Sequence, residues 1–167
     1  MKKTTTTCST ELVTLETSVP FAEVIGRLDS ALNKEESHKI ISKIRDATSR
    51  QEIENIVNDV RKGSDFVYFS ELKHHQWLDI YEGKEHPATV VYTIGNPLIA
   101  QTLLKHDIRA ALNVPLRLLV VENPEIPGTG LIYQRPSSVM VLTDNPGLRD
   151  AAEALDSKLE IFLTKLL

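Results

Sequence analysis

The stretch Ala88-Thr-Val-Val-Tyr-Thr-Ile94-Gly95-Asn96-Pro97-Leu98-Ile99-Ala100 changes character in its middle. Up to Ile94 it is β-branched and aromatic, the composition of a strand. Gly95 ends that strand. Asn96 can then cap a helix with its side-chain oxygen, and Pro97 occupies the first helical position, where its missing N–H costs nothing. Leu98, Ile99, Leu103 and Leu104 give the new helix one apolar face. The next strand, Leu116-Arg-Leu-Leu-Val-Val-Glu122, is almost continuously apolar, as a buried central strand is.

Toward the N-terminus, Glu11 to Ser18 alternates and predicts a first strand. Val19-Pro20 opens a helix to about Asn33, with Val24, Ile25, Leu28 and Leu32 on one face. Ile40, Ile41 and Ile44 predict a short helix ending near Ala47. Ser49-Arg-Gln-Glu52 is a capping box, and the stripe Ile53, Ile56, Val57, Val60 behind it stops at Gly63. Phe66 to Leu72 predicts a strand. His74 to Tyr81 fits a loop, a short helix or a strand.

Toward the C-terminus, the turn Asn123 to Gly130 leads into a strand over Leu131 to Arg135. Val139 to Thr143 predicts one more short strand, and Asn145-Pro146 repeats the cap-plus-proline helix start. The final helix carries Leu148, Ala152, Leu155, Leu159 and Leu163. Strand runs broken by single helices predict an α+β fold: two layers, a largely antiparallel sheet, helices packed on one face. The other face must be polar or take a partner or ligand. Residues 1–10 are expected to be a disordered threonine-rich tail, and residues 11–167 a single domain.

Composition sets the limits. A chain of 167 residues matches one domain at roughly 100–200 residues each. With 41% hydrophobic and 25% charged residues it is neither a disordered tail nor a disulfide-knotted toxin. A net charge of −4 argues against nucleic acid as main partner. The lone Cys8 cannot form an internal disulfide, and Met1-Lys-Lys is followed by threonines rather than an apolar signal segment. A cytoplasmic location without membrane association is the expectation.

The segments Tyr92 to Ala100 and Val114-Pro115-Leu116-Arg117-Leu-Leu-Val120, with Ser18-Val19-Pro20-Phe21 and Asn145-Pro146, resemble the domain-of-unknown-function family 302. The resemblance covers about residues 11–167 and is firmest over about 89–122. It implies a small two-layer α/β fold that pairs as a homodimer, and implies no particular biochemical role. Lys34 to Gly63 departs from the short members of that family, as a helical insertion.

Three constellations could carry chemistry. The Gly95-Asn96-Pro97 turn could bind an anion at the helix N-terminus, or Asn96 could only cap. His74 and His75, beside Trp77, could act as acid and base, yet as neighbours they do not converge on a metal, so no metal site is assigned. Arg117, a charge within an apolar strand, needs a partner: a ligand carboxylate, Glu122, Asp144 or a second chain. By strand alternation Tyr133 and Arg135 could share its surface. No cofactor motif and no nucleophile elbow occurs.

The reading favoured is a homodimeric module holding a small apolar or amphipathic molecule, with Trp77, Tyr92, Asn96, Arg117 and Tyr133 as binding residues. One alternative is a cofactor-free enzyme using His74 or His75 on a small organic substrate. The other is a purely structural or regulatory dimer.

Overall fold

The computed structural model describes residues 1–123 and 125–167; Pro124, in the turn expected over 123–130, lies outside the described residues. Residues 1–10 are exposed and carry no regular secondary structure. The first elements are β1 (Leu12–Thr17), α1 (Phe21–Ala31), α2 (Lys34–Ser37), α3 (Ile40–Asp46) and α4 (Arg50–Arg61). They are followed by β2 (Val67–Lys73), α5 (His74–Glu82), β3 (Thr89–Gly95) and α6 (Pro97–Leu104). A 3-10 turn over Ile108–Asn113 precedes β4 (Leu116–Glu122), β5 (Thr129–Gln134), α7 (Pro136–Met140) and α8 (Pro146–Thr164).

The five strands form one antiparallel sheet in the order β1-β5-β4-β3-β2, so the architecture is α+β as expected. Val90, Tyr92 and Ile94 of β3 and Leu116, Leu118 and Val120 of β4 face α1 and α8, and with Leu28, Leu155 and Leu159 they form the main core. A second, smaller core joins Ile40, Val57 and Val60 of the helical segment to Val67 of β2. Val67 pairs with Gly95, which places both on the sheet face opposite Tyr92 and Ile94. The helices α3 and α4 therefore wrap to the second face, but only at the Gly95 end.

Elsewhere the described residues leave that face largely uncovered. The register aligns Leu72, Val91, Leu119, Ile132 and Thr14 in one row across all five strands. Leu119 and Val121 of β4 are only half-buried. The apolar run of β4, central in the sheet as expected, is thus buried on one side within the chain and left partly open on the other.

One local expectation changes, and one open reading is decided. Val139 to Thr143 is no strand: Pro136 starts the short helix α7, and its Ser137 N–H and hydroxyl both donate to the Asp156 carboxylate on α8, at 2.9 and 2.5 Å. With β5 already flanked by β1 and β4, that segment has no neighbouring strand to pair with. The histidine segment resolves as helix α5, ended by Gly83 with φ at +67°.

Candidate functional site

The strand-to-helix turn holds as read. Asn96 Oδ1 accepts the Leu98 N–H at 2.9 Å, and its amide donates to the Asp65 carbonyl at 3.0 Å. Both polar ends of this 8%-exposed side chain are therefore committed. With Pro97 lacking an N–H and the Leu98 N–H already capped, the turn offers little for an anion.

What the turn does build is one wall of a cleft. Ile41, Ile44 and Arg45 of α3 face Gly95, Pro97 and Ala100 across an opening of about 390 Å³, with Phe69, Val114 and Pro115 closing its sides. The Val114–Pro115 peptide bond is cis. Gly95 keeps the walls close: a Cβ there would meet Phe69 Cε2 at 3.3 Å, a tight contact, and Pro115 Cβ at 3.6 Å, an ordinary one. The walls are apolar except for Arg45 and the committed Asn96. A neighbouring hollow of about 460 Å³ lies on the far side of Ile44 and Pro97, lined also by Arg50, Ile53 and Gln101.

The other sequence candidates do not converge on this cleft. Tyr92 is fully buried in the main core, its hydroxyl donating to Asp29 Oδ1 at 2.8 Å. Tyr133 is also core, 6% exposed, because it pairs with Leu118 on the α1/α8 face. Arg117 stands on the opposite face from Tyr133, exposed, opposite Thr93, with no salt bridge among the described residues. Its charge is tolerated because it points to solvent. Trp77 is half exposed on α5, and its indole N–H donates to His74 Nδ1 at 3.3 Å. His75 Nδ1 lies 3.0 Å from both the backbone N and the carbonyl O of Thr89. Both histidines thus hold α5 together or to β3, and neither lines the cleft.

A polar cluster escaped sequence reasoning. Lys34 Nζ bridges Asp29 Oδ2 at 3.0 Å and Glu71 Oε2 at 2.6 Å, between the rings of Tyr68 and Tyr92. It borders a hollow of about 640 Å³ reaching Ser30, Asn33 and His38. Burial opposes the Lys34 charge, but the hydrogen bonds it donates to Glu71 and Asp29 outweigh it and hold its pKa above that of ordinary lysine. Burial, together with the Asp29 carboxylate, pushes the Tyr92 phenol far up. These charges satisfy one another, which is the signature of a structural tie between α1, α2 and the sheet.

Among the described residues no helix is long and apolar enough to cross a membrane. No curated protein matches the chain. A crystal structure of the uncharacterized conserved protein DUF302 from Bacillus stearothermophilus is similar in fold, with a TM-score of 0.66 at 16% identity over 93% of this chain and 98% of that one. The model of the family described as Domain of unknown function DUF302 matches residues 44–166. That match takes in α4 and the end of α3. With most of its length matched, the chain belongs to the DUF302 family.

Proposed function

We propose that this chain is a homodimeric module that holds a small apolar or amphipathic molecule between α3 and the Gly95-Asn96-Pro97 turn. The observation that carries the reading is the cleft itself. At about 390 Å³ it falls within the range of roughly 300–1,000 Å³ typical of ligand sites, and its lining is almost wholly apolar. Such a surface left in water costs free energy at roughly 25 cal/mol per Å² of apolar area, which an apolar ligand recovers.

The dimer is supported by the bare sheet face. Val91, Leu119, Val121 and Ile132 are apolar and only partly covered there. On the same face Arg117 and Glu16 lack ion-pair partners among the described residues. A second copy, packed face to face about a two-fold axis, covers the apolar rows and sets each Arg117 against the opposite Glu16. The exposed Trp77, Ile80 and Tyr81 of α5 add an apolar flank.

Nile red, which brightens in apolar surroundings, tests the cleft. The reading expects saturable binding of one dye per chain, lost in Ala100→Trp, which fills the space, while circular dichroism and thermal unfolding stay near wild type. Binding unchanged in Ala100→Trp removes the cleft. A dimer by light scattering that takes up no dye leaves a structural or regulatory dimer as the better account.

A further inference from the structure

The cleft has one charged wall group, and its chemistry narrows the ligand. Arg45 stands at the α3 side of the opening. Its one ion-pair contact is Nε to Asp46 Oδ1 at 3.5 Å, between side chains that are each 74% exposed, so the pair is weak. The two terminal nitrogens of the guanidinium have no partner among the described residues. The one other polar side chain in the lining, Asn96, has both ends committed. An occupant can therefore be recognised in two ways only: apolar contact along Ile41, Ile44, Phe69, Ala100 and Pro115, and one planar cation at the edge.

We infer that the ligand is a single-chain amphiphile ending in a carboxylate, with its chain in the cleft and its head on the Arg45 guanidinium. A planar guanidinium matches a carboxylate with two parallel hydrogen bonds. The modest volume fits one chain. The inference rests on the reading that the cleft holds a ligand at all, and it adds the head group and the chain number.

Titration calorimetry on the full chain, below micelle-forming concentrations, separates the two. The probes are octanoate, decanoate, 1-decanol and decyltrimethylammonium. Decanoate is expected to bind one per chain, about tenfold or more tighter than octanoate, since each added methylene in an apolar site gains about fourfold. It is expected to bind about fivefold tighter than 1-decanol, a modest factor because Arg45 is largely in water. Arg45→Gln, an exposed change that leaves the fold intact, is expected to erase that fivefold preference while 1-decanol binding stays constant. Decanol or the cationic amphiphile binding as tightly as decanoate, or Arg45→Gln keeping the preference, overturns the carboxylate assignment and leaves the apolar cleft standing. No binding of any of the four by wild type overturns both.

Discussion

Lys34 Nζ lies 2.6 Å from Glu71 Oε2, so the first residue of α2 is tied to the edge strand β2 across 37 positions of sequence. Their side chains are 26% and 16% exposed, which makes the pair partly buried. Removing one partner of a fully buried pair costs roughly 3–5 kcal/mol, whereas an exposed pair gives about 0–1. Lys34→Met is therefore expected to lower unfolding free energy by about 1–3 kcal/mol. Urea denaturation measures it. A loss below 0.5 kcal/mol on the midpoint would show that Asp29 and Glu71 are adequately solvated without the lysine.

The same cluster sets a pH window. Burial raises the Glu71 carboxyl, but its hydrogen bond with Lys34 outweighs this and holds it below the ordinary 4.5. Its contribution is present above pH 4.5 and is lost as pH falls through the lowered value. Lys34 is raised above 10.5, so its contribution is present below that pH and fades as pH rises through the raised value. Burial also raises Tyr68 and Tyr92 above the ordinary 10.0, adding to the alkaline loss. Urea midpoints are expected to fall on both flanks, with Glu71→Gln starting lower and showing a shallower acid limb than wild type. Parallel acid limbs in the two proteins would remove Glu71 as a cause.

Asn96 separates a structural role from a binding one. Asn96→Ala loses the Leu98 cap and the bond to the Asp65 carbonyl. Loss of an N-cap alone costs about 0.5–2 kcal/mol, and an orphaned, partly buried carbonyl adds to it. A drop of about 1–3 kcal/mol in unfolding free energy is expected, with Nile red affinity of the folded protein changed less than twofold. A large affinity loss at unchanged stability would make Asn96 a ligand contact.

Local signals were legible because they depend on neighbours in sequence. Ser49 Oγ accepts the Glu52 N–H, Asn96 caps α6 and Asn145 caps α8, all as the residues announce. Signals that depend on distant partners were not. Nothing near Ser137 tells that Asp156 will accept its N–H and hydroxyl, with Pro136 to Met140 forming a short helix in place of the start of a strand. The cleft joins residues 41–45 to 95–100 and 114–115, and the Lys34 cluster joins 29 and 34 to 68, 71 and 92. Both arise from how α3 and α2 dock on β2, which hydrophobic periodicity does not encode. Tyr92 and Tyr133 illustrate the converse. Aromatic residues in strands are ambiguous between core and surface until the register is known, and the register puts both inside.

Arg117 and Glu16 test the proposed dimer directly. Both stand on the bare sheet face, in rows that flank the apolar row through Leu119 and Ile132, and neither has a salt-bridge partner among the described residues. In a two-fold pairing each charge meets its opposite twice, so a single reversal places like charges together at two symmetric points. Arg117→Glu alone, and Glu16→Arg alone, are each expected to weaken the dimer about tenfold, equivalent to about 1.4 kcal/mol. The double reversal restores opposite charges and is expected to recover wild-type association. Because both side chains are exposed within the chain, neither change disturbs the core, and thermal unfolding at high dilution is expected to stay within about 0.5 kcal/mol of wild type. Light scattering over a dilution series reads the association. A wild-type chain that stays monomeric removes the dimer altogether. A dimer indifferent to both single reversals must use another surface, with the α5 ridge of Trp77, Ile80 and Tyr81 as the next to mutate. Recovery in the double variant alone singles out the sheet face, since two weakening changes on an unrelated surface would add and not cancel.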